Sequence, residues 1–188
     1  MYVLPKDSRQ RYTKLCLADA FLTALETKAL SDITVSEICA ESGISRKTFY
    51  KYYSDQFEFF KALQEDLFVG LSEELRMLPP NIFEITPALI LFAEKHRVLI
   101  RAALENWSGG GFIDQIIKYL YTTYHQEWEE ANPRMPHKDV EYLFHYVVYG
   151  LIGIIRHWLV EDSSMPMEDV ILRADHLLKI STPRQQEG

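Results

Sequence analysis

Apolar residues recur at intervals of three and four through almost every long segment of this 188-residue chain, and no stretch alternates apolar with polar over a useful length. Positions three and four apart share one face of a helix, whereas a half-buried strand needs a period of two, so the spacing predicts an all-α fold. Composition fits a folded chain: 47% hydrophobic and 25% charged, with 8 Gly and 8 Pro, which excludes disordered, collagen-like and low-complexity classes. A chain of this length buries roughly 70% of its unfolded surface and needs no disulfide staple. Cys16 and Cys39 lie inside amphipathic patterns without a C-x-x-C partner, which points to a reduced intracellular compartment, and a cytoplasmic location is expected. The start, MYVLPKDSRQ, lacks the apolar core of a signal peptide. The most apolar stretch, Tyr142 to Ile155, is shorter than the about 20 residues that a bilayer crossing needs, and it contains His145. No membrane span is expected.

The formal net charge of -7 argues against a protein that coats nucleic acid non-specifically. The acidity is not evenly spread. Up to Leu63 there are nine Lys/Arg against eight Asp/Glu, a net +1, and the remainder carries eleven against nineteen, a net -8. Within the first part, Lys6, Arg9, Arg11 and Lys14 form one basic cluster and Arg46, Lys47 and Lys51 another. Two local positive patches on a neutral domain follow.

The spacing predicts a first helix over about Arg9 to Lys28, with Ser8 as N-cap and Tyr12, Leu15, Ala18, Leu22 and Leu25 on one face. Thr34 and Glu37 form a capping box that opens a short second helix with Val35, Ile38 and Cys39 inward, and Gly43 ends it. Ser45 caps a third helix, Arg46 to Tyr53, and Ser54 with Asp55 opens a fourth that runs to about Leu78, where Pro79-Pro80 stops it. Thr86-Pro87 reads as an N-cap with proline at the first helical position, opening a helix to about Leu104. After a WSGGG loop, a helix from Phe112 to Glu130 carries Ile113, Ile116, Ile117, Leu120, Tyr124 and Trp128 as its stripe. Lys138 to Glu161 forms the next, Pro166 starts a last helix to about Ile180, and the tail frays.

Two short capped helices joined through a glycine, the second bearing exposed Arg46, Lys47, Thr48, Tyr50 and Lys51, form the pattern of a helix-turn-helix. Lys and Arg there can reach guanine acceptors in a major groove. The hydroxyls of Thr34 and Tyr50 suit phosphate oxygens, contacts that fix register without reading sequence. The run Ile33 to Phe60, ITVSEICAESGISRKTFYKYYSDQFEFF, resembles the DNA-binding signature of the TetR/AcrR transcriptional regulators. Matching positions include Thr34, Val35, Ile38, Gly43, Ile44, Ser45, Thr48, Phe49, Tyr50 and the aromatic Tyr53. The resemblance implies a helix-turn-helix DNA-binding domain over residues 1–54, a connecting helix over 55–78, and a helical effector-binding and dimerisation domain over 79–188. It places Thr34 and Tyr50 on phosphates and Ser45, Arg46, Lys47, Thr48 and Lys51 at the DNA interface, with the cations and Thr48 in or beside the groove. Two departures stand out: Cys39 replaces a common alanine, and Gln56 replaces a common lysine, which removes one charged phosphate contact. The stretch Tyr149 to Asp162 with its following helix further resembles a subgroup that includes activators of dihydroxyacetone kinase operons.

A helix apolar on every side between Tyr146 and Ile155 has to be covered by protein, and Gly150 and Gly153 would let a neighbouring helix approach. With Val170, Leu172, Leu177 and Leu178 of the last helix, this predicts a homodimer through helices 138–161 and 166–180 that binds a pseudo-palindromic operator; burial within one subunit is the rival explanation. The aromatic-rich second half suits a small organic effector, with His96, Trp107, Tyr124, Tyr146 and Tyr149 as candidate lining, although aromatics at helical spacing are commonly core.

Other chemistries find no support in the sequence. His137, Glu141 and His145 align on a helix face but lack an H-E-x-x-H pattern, and Gly109 to Gly111 follows no strand, so neither a metal nor a cofactor is expected. No carboxylate pair sits in an apolar setting and no G-x-S-x-G occurs, so an enzyme is not expected. The reading is a ligand-responsive dimeric transcriptional regulator with repression as its default output. The alternative is a helical small-molecule-binding or interaction protein with a vestigial DNA-binding half.

Overall fold

A computed structural model describes residues 8–107 and 111–182, and among them every regular element is helical. In chain order these are α1 (Ser8–Thr27), α2 (Val35–Ser42), α3 (Arg46–Tyr50), α4 (Gln56–Leu75), α5 (Ile82–Lys95), α6 (Arg97–Glu105), α7 (Phe112–Ala131), α8 (His137–Arg156) and α9 (Met167–Ser181). A 3-10 turn, Leu30–Asp32, precedes α2, and a π turn, His157–Glu161, extends α8. The fold is all-α, as the spacing predicts. The Ser8 side chain expected to cap α1 lies outside the described residues, as do Lys6, Gly109 and Gly110.

The chain divides into two compact units. The described residues up to Gly70, with Val98–Asn106, form the first; Leu71–Arg97 and the residues from Trp107 onward form the second. In the first unit Leu17, Phe21, Ile38, Phe49, Phe59 and Leu63 are fully buried. Phe21 meets Phe59 edge-on at 5.4 Å, and Phe59 meets Phe49 at 5.9 Å, arrangements worth about 0.5–1.5 kcal/mol beyond simple burial. Burying the Phe21 ring rotates α1 away from its expected face. Tyr12 and Leu15 are exposed, and the inner stripe is Thr13, Leu17, Ala18, Phe21 and Leu25. Arg101 of α6 donates from Nη2 to the Leu25 carbonyl at 2.8 Å, fixing α6 on the last turn of α1.

In the second unit α5 packs along α9, and α8 packs on α7, α9 and α5. Trp158 of the π turn is buried, donates from Nε1 to the Met165 carbonyl at 2.9 Å, and carries the Arg97 guanidinium 4.6 Å above its ring. Four features differ from the sequence expectation. α3 stops at Tyr50, three residues early, with a turn after it. α5 starts at Ile82, capped by Asn81 Oδ1 accepting from the Phe83 amide at 2.9 Å, so Pro87 lies inside the helix and Thr86 is buried. Burial of Ile82 and Ile85 outweighs the single amide donor that Pro87 removes from the first turns. The expected single helix to Leu104 is broken at His96, whose φ of -117° and ψ of 28° separate α5 from α6. Of the four α9 residues expected to face a partner, Val170 and Leu178 are buried within the chain itself, because α9 has to cover α5 as well.

Residues His137–Glu161 are helical for 25 residues, with a mean hydropathy of 1.4 over the most apolar window, so by length and composition this one helix could cross a bilayer. The expectation of no span rested on Tyr142 to Ile155 alone, and the helix extends beyond that stretch at both ends. Its inner face, Val140, Phe144, Val147, Val148, Leu151 and Ile155, is buried against neighbouring helices, the pattern of a core helix in a helical domain.

Within the first unit α1 and α4 share one buried ion pair: Lys14 Nζ lies 2.6 Å from Asp66 Oδ2, with the side chains 13% and 7% exposed. Burial raises the Asp66 pKa above its ordinary value even though Lys14 opposes the shift. Removing one partner leaves the other charge buried and unpaired, a loss of about 3–5 kcal/mol, whereas replacing both with apolar groups of similar volume is close to neutral. In urea unfolding, Lys14→Met and Asp66→Leu alone are each expected to lose that much stability, and the double variant to recover most of it.

Candidate nucleic-acid interface

The 3-10 turn buries Leu30 and delivers Ile33, fully buried, to the start of α2. Thr34 adopts an extended conformation, φ -105° and ψ 150°, and its Oγ1 accepts from the Glu37 amide at 3.3 Å. Glu37 Oε2 accepts in return from the Thr34 amide at 2.9 Å, closing the predicted capping box, and Lys28 Nζ reaches Glu37 Oε1 at 2.5 Å. The Lys28 hydrogen bond, followed by those from Thr34, holds the Glu37 carboxyl down at about 2. The end of α1 and the cap of α2 are thereby joined through one carboxylate.

Gly43 ends α2 with φ 68° and ψ 10°, a left-handed conformation in which a Cβ is strained although no atom stands within 4 Å of where it would be. Ser45, extended at φ -65° and ψ 145°, caps α3: its Oγ accepts from the Thr48 amide at 3.1 Å and lies 2.9 Å from Thr48 Oγ1. Phe49, on the opposite side of the helix, is fully buried against Tyr53 at 5.6 Å and Phe59. A helix of one turn cannot hold its own shape in water, so the caps and the Phe49 anchor set its geometry.

With Phe49 inward, Arg46, Lys47 and Tyr50 of α3 are exposed, as are Ser45 and Lys51 at its two ends; Thr48 is half-buried, and Thr34 is exposed at the cap of α2. The seven residues expected at a DNA interface thus come from one capped bend. Sequence reasoning missed Ser36. It is exposed on the first turn of α2, and Arg46 Nη1 donates to its Oγ at 3.5 Å. Nothing local marks Ser36; only the turn at Gly43 brings α3 across α2. The N-terminus of α4 is closed by its own carboxylates, since Glu58 Oε2 accepts from the Ser54 amide at 2.5 Å and Asp55 Oδ1 from the Glu58 amide at 2.8 Å. Those acids occupy donors that would otherwise favour an anion there.

The five candidate effector residues do not line one pocket, although Trp107 and Tyr149 meet. Tyr124 is buried and donates its hydroxyl to the Leu75 carbonyl at 3.3 Å, and burial raises its pKa, keeping it a donor. His96 is half-buried beside Phe92 at 4.5 Å, and burial, with Lys95 adding to it, pushes its imidazole down to about 4. Trp107 stacks on Tyr149 at 6.2 Å and donates from Nε1 to Asp114 Oδ2 at 3.0 Å, which also accepts from the Gly111 amide and so closes the start of α7. Tyr146 and Tyr149 lie on the exposed outer side of α8. His137 bonds Glu129, whereas His145 stacks on Tyr121 at 5.8 Å.

That outer side forms a second surface. Tyr142 and Tyr146 of α8 and Leu172, Leu177 and Ile180 of α9 are exposed, Tyr146 and Leu172 each at 66%. Between the helices lie two open, largely apolar grooves of about 170 and 370 Å³; Gly150, Ile154 and Leu177 line both, and His157, Asp162 and Arg173 edge the larger.

A helix-turn-helix with a basic, outward-facing second helix, continued by an all-helical second unit, defines a class of DNA-binding regulators. Comparison with known proteins makes the class definite. A TetR-type family profile described as the transcriptional regulator C-terminal region matches residues 80–179, more than half of the chain. The chain belongs to the TetR family of transcriptional regulators. It is 26% identical over 170 residues to an uncharacterised HTH-type transcriptional regulator, YxbF, of Bacillus subtilis (strain 168). That alignment covers 86% of this chain but only 43% of YxbF, so the chain spans less than half the length of this relative. Among solved structures, the dihydroxyacetone kinase operon activator DhaS aligns with TM-score 0.64 at 16% identity, covering 91% of this chain and 96% of that one. A TetR-family regulator from Syntrophomonas wolfei aligns with TM-score 0.71 at 15% identity, covering 90% and 94%. The fatty acid degradation regulator FadR from Bacillus halodurans aligns with TM-score 0.60 at 13% identity, covering 88% and 94%. At these identities the likeness is one of fold.

The Glu37 cap carries a pH signature. Its folded pKa lies below the ordinary 4.5, so its stabilising effect is complete above 4.5 and is lost as pH falls through about 2. The difference in melting temperature between the parent and Glu37→Gln is expected to be constant from neutral pH down to about 5 and to vanish near 2.

Proposed function

We propose that this protein is a ligand-responsive, dimeric transcription factor that binds a pseudo-palindromic operator through α3, with repression as its default output. The observation that carries the reading is the capped, Phe49-anchored helix α3, whose exposed side bears Arg46, Lys47 and Tyr50 with Lys51 at its end. Thr34 and Tyr50 serve phosphates; Ser45, Arg46, Lys47, Thr48 and Lys51 complete the DNA surface. In this reading residues 1–54 bind DNA, 55–78 connect, and 79–188 take up the effector and dimerise. The protein acts in the cytoplasm and has no catalytic role.

The dimer is supported by the outer side of α8 and α9. Gly150 and Gly153 lie inside a helix, where each costs about 1 kcal/mol relative to alanine. Among the described residues a Cβ at either would meet nothing within 4 Å, so none of them calls for glycine there. A second copy seated in the grooves supplies the reason, by close approach of its backbone, and covers the exposed Tyr146, Leu172 and Ile180. An isologous pairing of α8 and α9 with their symmetry mates makes a four-helix bundle and sets two α3 helices about 34 Å apart, one turn of duplex. The effector is a small organic molecule taken up by the aromatic-rich second unit, biasing the population competent for DNA.

Two measurements test this. Selection from a random duplex library is expected to enrich a pseudo-palindrome, with binding that weakens steeply as salt rises; absence of any enriched sequence with or without candidate metabolites overturns the reading. Gly150→Leu with Gly153→Leu is expected to reduce the solution mass from twice 22.0 kDa to 22.0 kDa while leaving the helical circular dichroism intact. A parent that already runs at 22.0 kDa overturns the dimer.

A further inference from the structure

Three cations crowd onto α3 and its end, and their surroundings set them apart. Arg46 lies back over α2: its Nη1 donates to Ser36 Oγ at 3.5 Å, and its charge acts on the buried Cys39 thiol, one turn further along the same helix. Lys51, at the C-cap of α3, holds its Nζ 5.2 Å above the Tyr52 ring. Thr48 is half-buried with Oγ1 turned to Ser45. Lys47 stands between these groups, exposed, and among the described residues no side chain ties its ammonium down. A guanidinium held at Ser36, on the α2 turn that Thr34 caps, lies on the side of the bend where Thr34 suits a phosphate, and one of its donors is already engaged. The unengaged Lys47 ammonium is free to extend from the helix, and its best acceptors on a base edge are O6 and N7 of guanine, which lie together in the major groove.

We propose that Lys47 is the residue of α3 that reads sequence, selecting one guanine in each operator half-site, and that Arg46, steadied by Ser36, clamps the phosphate backbone. This rests on the operator-binding reading above. The test is selection from a random duplex library with the full chain as parent, Lys47→Met, Arg46→Ala and Lys51→Ala, followed by titration on the selected duplex with 7-deazaguanine at the chosen position. The parent is expected to enrich a guanine at one position per half-site, and the 7-deaza base to weaken its binding about tenfold. Lys47→Met is expected to lose that preference alone and to become indifferent to the 7-deaza base. Arg46→Ala is expected to keep the parent's consensus, bind every sequence more weakly, and lower the slope of log affinity against log salt by about one. Lys51→Ala is expected to keep the consensus as well. Retention of the guanine by Lys47→Met, or loss of a base preference in Arg46→Ala, overturns the assignment while leaving the operator reading intact. A parent that enriches nothing overturns both.

Discussion

The Phe49 ring is the contact on which the rest of the first unit turns. α3 has five residues, too few to be helical by its own hydrogen bonds, and its polar side chains give it nothing to bury. One ring, fully buried between Tyr53 and Phe59, fixes which side of the helix faces the protein. That choice determines everything outward: Arg46, Lys47 and Tyr50 are exposed because Phe49 is not. The caps at Thr34 and Ser45 and the left-handed Gly43 then set the angle at which α3 leaves α2. A basic surface of three cations is assembled from one aromatic anchor and a bend.

The same economy explains why an acidic protein presents a basic face. Three carboxylates flanking the bend are engaged at helix caps: Glu37 serves Thr34 and Lys28, while Asp55 and Glu58 serve the start of α4. Held in helix caps, they contribute negative charge beside α2 and α4 rather than on α3. The excess acid resides in the later two-thirds of the chain, where solvation is its default role. In the second unit the balance differs. α8 and α9 each divide their apolar residues between an inner face that builds the unit and an outer face that remains uncovered.

Much of the candidate site was legible because its determinants are local. Thr34 with Glu37, Gly43, and Ser45 with Thr48 are spaced by the geometry of a helix start or stop, and the spacing survives into the structure unchanged. Ser36 was invisible for the opposite reason: its partner Arg46 is ten residues away and is brought to it only by the bend. The candidate effector residues were chosen by composition, and composition does not specify direction. Tyr124 turned inward to the Leu75 carbonyl while Tyr146 turned outward to the groove.

By itself the sequence determined that the chain is helical, where the capped bend lies and which residues form it, since periodicity and capping act within a few residues. Tertiary structure decided the rest. Phe21 rotated α1 so that Tyr12 and Leu15 became surface, and burial of Ile82 and Ile85 carried α5 through Pro87. Val170 and Leu178 were claimed by the core of their own chain, leaving Leu172 and Ile180 outside. The physical reason is common to all three: a helical pattern names a stripe of residues that can be buried, but the side chains brought against it from elsewhere in the chain determine which of them are.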